Sequence, residues 1–281
     1  MKVAVSGATG FIGRHVIAEL EARSVEVIAL VRPTSSQFSA RPRVHAVPVD
    51  LHDAPPNAYE LMGRPDVLIH LAWSGLPNYK SLHHYELELP AQYRFLKNLI
   101  ESGLKSLVVA GTCFEYGMQS GPLREDMMSR PCNPYGFAKD ALRQQLEFLK
   151  STSPFQLTWA RLFYIYGEGQ AKNSLLPQLR QAVERGDPVF NMSGGEQLRD
   201  YLPVAEIASN LVSLAMGKMD PGIVNVCAGV PISVRKLVEN WIQENGWSIS
   251  LNFGHFPYPD YEPMAFWGDA GKLSTLIGKS I

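Results

Sequence analysis

The feature that most constrains this chain lies within its first thirteen residues. The short aliphatic run Val3–Ser6 passes directly into Gly7-Ala8-Thr9-Gly10-Phe11-Ile12-Gly13, and a helical pattern begins at once. Three glycines at this spacing meet three separate demands: a tight turn, close approach of backbone to an anion, and close packing of helix on strand. The helix N-terminus then offers free N–H groups to a pyrophosphate. A chain that opens this way starts a strand–turn–helix unit, which buries its strand in a sheet covered by helices on both faces.

The next residues keep that rhythm. Val25–Val31, Val44–Val49, Val67–Leu71, Leu107–Ala110 and Leu157–Arg161 read as further buried parallel strands, separated by helical patterns at Gly13–Arg23, Tyr85–Ser102 and Pro134–Lys150. The repetition predicts an α/β fold with a doubly wound parallel sheet, ligands binding beyond the carboxyl ends of its strands. After about residue 165 the pattern changes to helices between Gly- and Pro-rich loops, and Asn252–Asp269 is rich in aromatics and proline. We therefore expect residues 1–165 to bind a dinucleotide and residues 166–281 to form a smaller substrate-binding lobe, compact with the first, with the chain free to cross between them.

A formal net charge of -1 removes any argument for a basic nucleic-acid binder. Cys113, Cys132 and Cys227 show no C-x-x-C spacing, which points to a reduced, cytoplasmic protein without structural zinc. No apolar run is long enough for a signal peptide or a membrane span. The adjacent His83-His84 do not share a helix face and have no third ligand spaced with them, so no metal is expected.

The second strand ends Ala29-Leu30-Val31-Arg32, without the acid that would accept hydrogen bonds from an adenosine ribose and repel a 2′-phosphate. Arg32 suits a phosphate bidentately, and Thr34, Ser35 and Ser36 offer hydroxyl donors. NADP(H) is favoured over NAD(H). Tyr135-Gly136-Phe137-Ala138-Lys139 has Y-x-x-x-K spacing, which puts ammonium and phenol on one helix face, where the cation favours the phenolate. Tyr93 and Lys97 repeat the spacing in a helix whose Phe95, Leu96, Leu99 and Ile100 mark a packing face, so they are assigned to structure. The loop Trp73–Tyr79, including Asn78, follows the fourth strand at the cleft mouth, where it contacts a substrate hexose or packs its aromatics.

Gly-Ala-Thr-Gly-Phe-Ile-Gly resembles the opening of the extended short-chain dehydrogenase/reductase family, especially its nucleotide-sugar epimerase/dehydratase branch, and the likeness runs along most of the chain. It implies a Rossmann-type sheet in which Gly7, Thr9, Gly10, Phe11, Ile12 and Gly13 hold the pyrophosphate. Asp50-Leu51 would contact adenine, and Leu71-Ala72 and Phe163 would line the cofactor. Thr112, four residues before the Tyr116-Gly117 pair, stands where the family places its catalytic hydroxyl, and Tyr135 begins a helix after Asn133-Pro134 as the family's catalytic tyrosine does. Lys139 would also hydrogen-bond the nicotinamide ribose. Asn173 falls where relatives grip the nucleotide, and Gly195-Glu196-Gln197-Leu198-Arg199-Asp200-Tyr201 resembles a motif whose arginine neutralises a sugar-nucleotide diphosphate. A homodimer through the helices Tyr85–Ser102 and Pro134–Lys150 is the family's expectation.

Two departures narrow the chemistry. Resembling 4,6-dehydratases carry Asp-Glu immediately after the threonine, where this chain has Cys113-Phe114; Glu115 comes one place too late. Fucose-synthase-like relatives use a cysteine two places after the hydroxyl residue and a distant histidine, whereas Cys113 is one place after. The expected activity is NADPH-dependent reduction of the 4-keto group of a nucleotide-linked 4-keto-6-deoxyhexose, the nucleotide dTDP, GDP or CDP. An NAD-dependent 4-epimerase is the alternative enzyme, and a non-catalytic NADP-binding sensor the alternative from another class.

Overall fold

The computed structural model describes residues 1–34, 41–217 and 219–278. Seven strands form one all-parallel sheet: β1 (Lys2–Ser6), β2 (Glu26–Val31), β3 (Val44–Pro48), β4 (Val67–His70), β5 (Ser106–Thr112), β7 (Gln156–Leu162) and β12 (Gly222–Val226). Their order is β12-β7-β5-β4-β1-β2-β3, so the winding direction reverses between β1 and β4. Ser6 there stands opposite His70, and the loops leaving both strands open into a common crevice.

Alternation along the strands divides the core into two layers. Val3, Val5 and Ile69 face α1 (Phe11–Ala22) and α6 (Val204–Met216), through Val16, Ile17 and Leu20 of the first and Ile207, Leu211 and Ala215 of the second. Ala4, Leu68, Leu107 and Trp159 face α3 (Leu89–Glu101) and α4 (Pro134–Leu149), through Phe95, Leu96 and Leu99 and through Leu142 and Leu146. Between β3 and β4 lies the single turn α2 (Ala58–Leu61).

The helix expected over Tyr85–Ser102 begins instead with a wide π turn, His84–Glu88, before α3. Pro90 stands in the first turn of α3 and has no N–H to give an upstream carbonyl, a local reason for the irregular entry.

The change of rhythm at residue 165 marks where the chain first leaves the sheet. It then crosses back: α6 covers α1, and β12 pairs with β7, register Val224 on Ala160. This seventh strand was not among the six expected, because Gly222-Ile223-Val224-Asn225-Val226 is a short run with an asparagine inside it. The rest of the second half builds its own small core from α5 (Leu175–Glu184) and α7 (Val234–Asn245), with Leu179, Phe190, Val238 and Trp241 at its centre. Four two-stranded ribbons frame the crevice: β6 (Gly121–Leu123) with β15 (Phe266–Gly268), β8 (Tyr164–Tyr166) with β11 (Tyr201–Pro203), β9 (Val189–Asn191) with β14 (Ser250–Asn252), and β10 (Leu198–Arg199) with β13 (Ile232–Ser233). A short α8 (Gly271–Ile277) ends the described chain.

Candidate active site

The glycine loop has no room for side chains. Gly7 has φ +68°, and a Cβ there would stand 2.9 Å from the Ala72 nitrogen; one on Gly13 would stand 2.1 Å from the Gly7 carbonyl oxygen. Gly10 N donates to Gly7 O at 2.9 Å and caps α1 in extended conformation, with no side chain bonded to the first-turn N–H groups. Those groups and the bare backbone of the turn suit a pyrophosphate, the fit a dinucleotide requires. Thr9 and Gly10 are exposed, while Phe11 and Ile12 are half-buried at the start of the helix. The Leu71 and Ala72 N–H groups both donate to Ser6 Oγ, at 3.2 and 3.3 Å, which ties the end of β4 to the turn.

Thr112 ends β5, and Tyr135 and Lys139 lie in the first turns of α4, all three buried. Asn133 caps α4 by accepting from Gly136 N at 2.8 Å, and a Cβ on Gly136 would be 2.7 Å from Phe114 O, so α4 approaches the strand end closely. Trp73, Tyr79, His84 and Phe114 ring Tyr135, with centroids 6.1, 5.6, 5.2 and 6.3 Å away. Burial drives the Tyr135 phenol far above its ordinary range, nearby Tyr79, Glu115 and Cys113 add to this, and a hydrogen bond with Thr112 pulls the other way. The phenol is therefore a protonated donor. Lys139 Nζ donates to Ala110 O at 2.9 Å and lies 3.9 Å from the Trp73 ring centroid and 6.0 Å from that of Tyr135. Burial lowers this lysine to about 7, against the pull of Glu115 and Glu88.

Sequence reasoning missed what holds Thr112. Glu115 is fully buried and its carboxylate accepts from Thr112 N at 2.8 Å, Trp159 Nε1 at 2.9 Å and Arg161 Nε at 2.6 Å. Thr112 Oγ1 in turn accepts from Phe114 N at 3.3 Å, completing a capping box over Cys113–Tyr116. The T-x-x-E spacing of Thr112 and Glu115 was the available signal.

A second buried carboxylate organises the cleft mouth. Glu88 accepts from Ser74 Oγ at 2.6 Å, His52 Nε2 at 2.7 Å and Gln92 Nε2 at 2.8 Å. His83 bonds Ser74, and His84 accepts from Trp73 Nε1 at 3.1 Å while donating to Asn78 O at 2.8 Å. The adjacent histidines thus brace the aromatic wall around Tyr135. Burial pushes the Glu88 carboxyl up, but hydrogen bonds from Ser74 and Gln92 prevail and bring it to about 2. Buried His70 takes a hydrogen bond from Ser6 Oγ, 2.8 Å from its Nδ1, while its Nε2 has no partner among the described residues; burial, reinforced by Lys139, lowers it to about 3.

Both groups make stability acid-sensitive, with the same sign. His70 binds its proton more weakly folded than unfolded, so stability is lost as pH falls from 6.5 toward about 3. Glu88 is depressed from 4.5, and its contribution is lost as pH falls from there toward about 2. Denaturant unfolding is expected to show stability declining below about pH 6.5 and more steeply below about pH 4.5, and His70→Asn should flatten the upper part of that decline. An unchanged slope in the variant would remove His70 from the account.

A family model described as the NAD dependent epimerase/dehydratase family matches residues 3–227. The chain belongs to that family. It is 32% identical over 270 residues to the dTDP-6-deoxy-L-talose 4-dehydrogenase (NAD(+)) of Aggregatibacter actinomycetemcomitans, covering 95% of this chain and 99% of that one. It is 27% identical to the dTDP-6-deoxy-L-talose 4-dehydrogenase (NAD(P)(+)) of Kitasatospora kifunensis, over 92% and 83% of the two chains. Among solved structures, MoeE5 in complex with UDP-glucose and NAD superposes with a TM-score of 0.83 at 25% identity, covering 100% and 93%. These relatives are NAD(P)-dependent nucleotide-sugar enzymes, which supports an enzyme here. No helix among the described residues is long and apolar enough to cross a membrane.

Within this epimerase/dehydratase chain the remaining expected site residues are spread around the crevice. Arg32 and Thr34 are exposed just beyond β2, and Arg32 has no hydrogen bond or ion pair with the described residues. Ser35 and Ser36 lie outside the described residues. Asp50 is exposed and caps the turn Leu51–Asp53 through His52 N at 3.0 Å, with Leu51 packed on the α3–α4 side of the core. Phe163 is buried between Tyr116 and Phe266. Asn78 and Asn173 are exposed, on the loop after β4 and just before α5. Arg199 is buried in an ion pair with Glu262 at 2.9 Å, a partner that sequence reading did not supply.

Proposed function

We propose that this protein reduces the 4-keto group of a nucleotide-linked 4-keto-6-deoxyhexose, with Tyr135 as the general acid. The observation that carries the reading is the convergence of buried Thr112, Tyr135 and Lys139 at the carboxyl end of β5. A bound nicotinamide dinucleotide supplies the hydride. Thr112 holds the reacting oxygen toward the phenol, Tyr135 gives that oxygen its proton, and Lys139 stabilises the phenolate left behind. The aromatic wall of Trp73, Tyr79 and Phe114 keeps water from the exchange. Oxidation at C4 of a 6-deoxytalose, the activity in the name of the Aggregatibacter relative, yields a 4-keto-6-deoxyhexose, and the reduction is that chemistry reversed. A panel of nucleotide-linked 4-keto-6-deoxyhexoses, with loss of reduced-cofactor absorbance followed, tests it. Interconversion of glucose- and galactose-configured sugar nucleotides without added cofactor would replace it by a 4-epimerase.

The proposed cofactor is NADP(H). Exposed Arg32, which has no ion pair with the described residues, stands just beyond β2 with no acid at that strand's end, and NAD(H) is the competing choice because a relative is named for NAD(+). Arg32→Ala is expected to weaken NADPH binding by about 1–3 kcal/mol and NADH binding by much less. Titration with both cofactors decides, and equal losses would sink the preference. We further propose a homodimer packed through the π turn with α3 and through α4, where Leu87, Phe137 and Phe148 are exposed, working in the cytoplasm, in keeping with three free thiols. The division of labour between residues 1–165 and 166–281 is proposed on the same basis: glycine loop in the first, Arg199 in the second.

A further inference from the structure

Arg199 already has an anion. Its guanidinium donates to Glu262 Oε2 at 2.9 Å, and the side chains of the pair are 3% and 9% exposed. The other arm of the fork donates to Leu198 O at 2.9 Å and Met264 O at 3.3 Å, while the Phe266 ring lies 4.5 Å below. Arg199 is therefore held by two backbone carbonyls and an aromatic face, and Glu262 is its carboxylate partner.

Glu262 belongs to a segment that straps the crevice. Asp260 pairs with Lys80 at 3.0 Å, the Tyr261 ring meets Tyr79 and Phe114 at 6.3 and 6.1 Å, and Cys132 Sγ donates to Tyr261 O. These are the rings that pack on Tyr135. The carboxylate faces the same space: burial raises Tyr79, Cys113 and Tyr164, and the Glu262 charge adds to all three. Beside it stands the buried Tyr164 hydroxyl, within reach of both Glu262 and Arg199. A cation, its carboxylate and a buried hydroxyl converge next to the proposed reaction centre.

We propose that Glu262 is a built-in competitor for the substrate's diphosphate: it neutralises Arg199 in the ligand-free protein and must yield that guanidinium, and the Tyr164 hydroxyl, when a nucleotide sugar enters. The inference rests on the nucleotide-sugar reading above and specifies how its anion is admitted. A buried arginine without a counter-ion is strongly unfavourable, so Glu262 stabilises the fold around Arg199. The same pairing weakens substrate binding, because the incoming diphosphate must first replace a bonded carboxylate.

The test is the affinity of Glu262→Gln for thymidine diphosphate and uridine diphosphate, by calorimetry on the full chain with dinucleotide present. The variant is expected to bind about tenfold more tightly than the parent. Its melting temperature should fall without ligand and recover when diphosphate is added. With a nucleotide sugar that is turned over, KM should fall by more than kcat changes. Should the amide fail to fold, Glu262→Asp, whose shorter carboxylate meets Arg199 less well, is expected to gain affinity by a smaller factor. If the parent binds diphosphates while both folded variants bind no more tightly, the competitor role is wrong and the nucleotide-sugar reading stands. If neither parent nor variant binds any nucleoside diphosphate, both fall.

Discussion

Tyr135→Phe is expected to lower turnover by about 10²–10⁴-fold while cofactor affinity stays nearly unchanged. The phenol, the proposed proton donor, is buried in the crevice with Thr112 and Lys139, and phenylalanine keeps the ring contacts with Trp73, Tyr79, His84 and Phe114 while deleting only the hydroxyl. Tyr93→Phe is the control. Tyr93 is half-buried against the α3–α4 side of the core, and Lys97, its partner in spacing, pairs with Glu101 at 3.7 Å. That variant should keep its turnover. Steady-state rates of the two proteins, measured with the same 4-keto sugar nucleotide, settle which of the paired motifs carries the chemistry; the reverse ranking would overturn the choice.

The second large effect is on stability. Glu115→Ala is expected to destabilise the protein by about 3–5 kcal/mol, because Arg161 is left as a buried charge with only Asp140, at 3.9 Å, as a looser counter-ion. Both side chains are fully buried at 2.6 Å, and the variant also strands Trp159 Nε1 and Thr112 N. The melting temperature should drop on the order of 10 °C. Glu115→Gln keeps the volume and separates lost charge from lost packing. Adding Arg161→Met to Glu115→Gln should restore part of the loss by removing the stranded cation. Thermal and denaturant unfolding of the three proteins give the comparison, and a Glu115→Ala loss below about 1 kcal/mol would mean that the pair contributes nothing.

The contrast between Tyr135 and Glu115 shows where sequence reading stops. The six foreseen strands were legible because strands buried on both faces are written as continuous aliphatic runs, each bounded by a turn. The glycine loop was legible because contacts such as Gly13 against Gly7 are local and admit no substitute. Tyr135 and Lys139 share one turn of helix, so their spacing carries the information. Glu115 finds Arg161 46 residues away, and Arg199 finds Glu262 63 residues away. Such partners become neighbours only through the winding of the sheet, which spacing along the chain does not reveal. Glu88 was unread for a related reason: its ligands Ser74, His52 and Gln92 come from three separate elements. β12 escaped because Asn225 sits in its middle, where the buried amide donates to Leu123 O and accepts from Tyr116 Oη.

The return of the chain to the sheet bears on how the molecule is made. During synthesis α1 is among the first elements to leave the ribosome, yet Ile207, Leu211 and Ala215, which cover Val16, Ile17 and Leu20, arrive almost two hundred residues later. Until then the nascent chain exposes a greasy stripe on α1 and an open edge on β7, both attractive to chaperones and to other nascent chains. A fragment released at residue 165 would carry the whole glycine loop and every proposed catalytic side chain and still lack α6, which covers α1 and its face of the sheet. Premature termination in this gene would therefore yield an aggregate rather than a spare nucleotide-binding module.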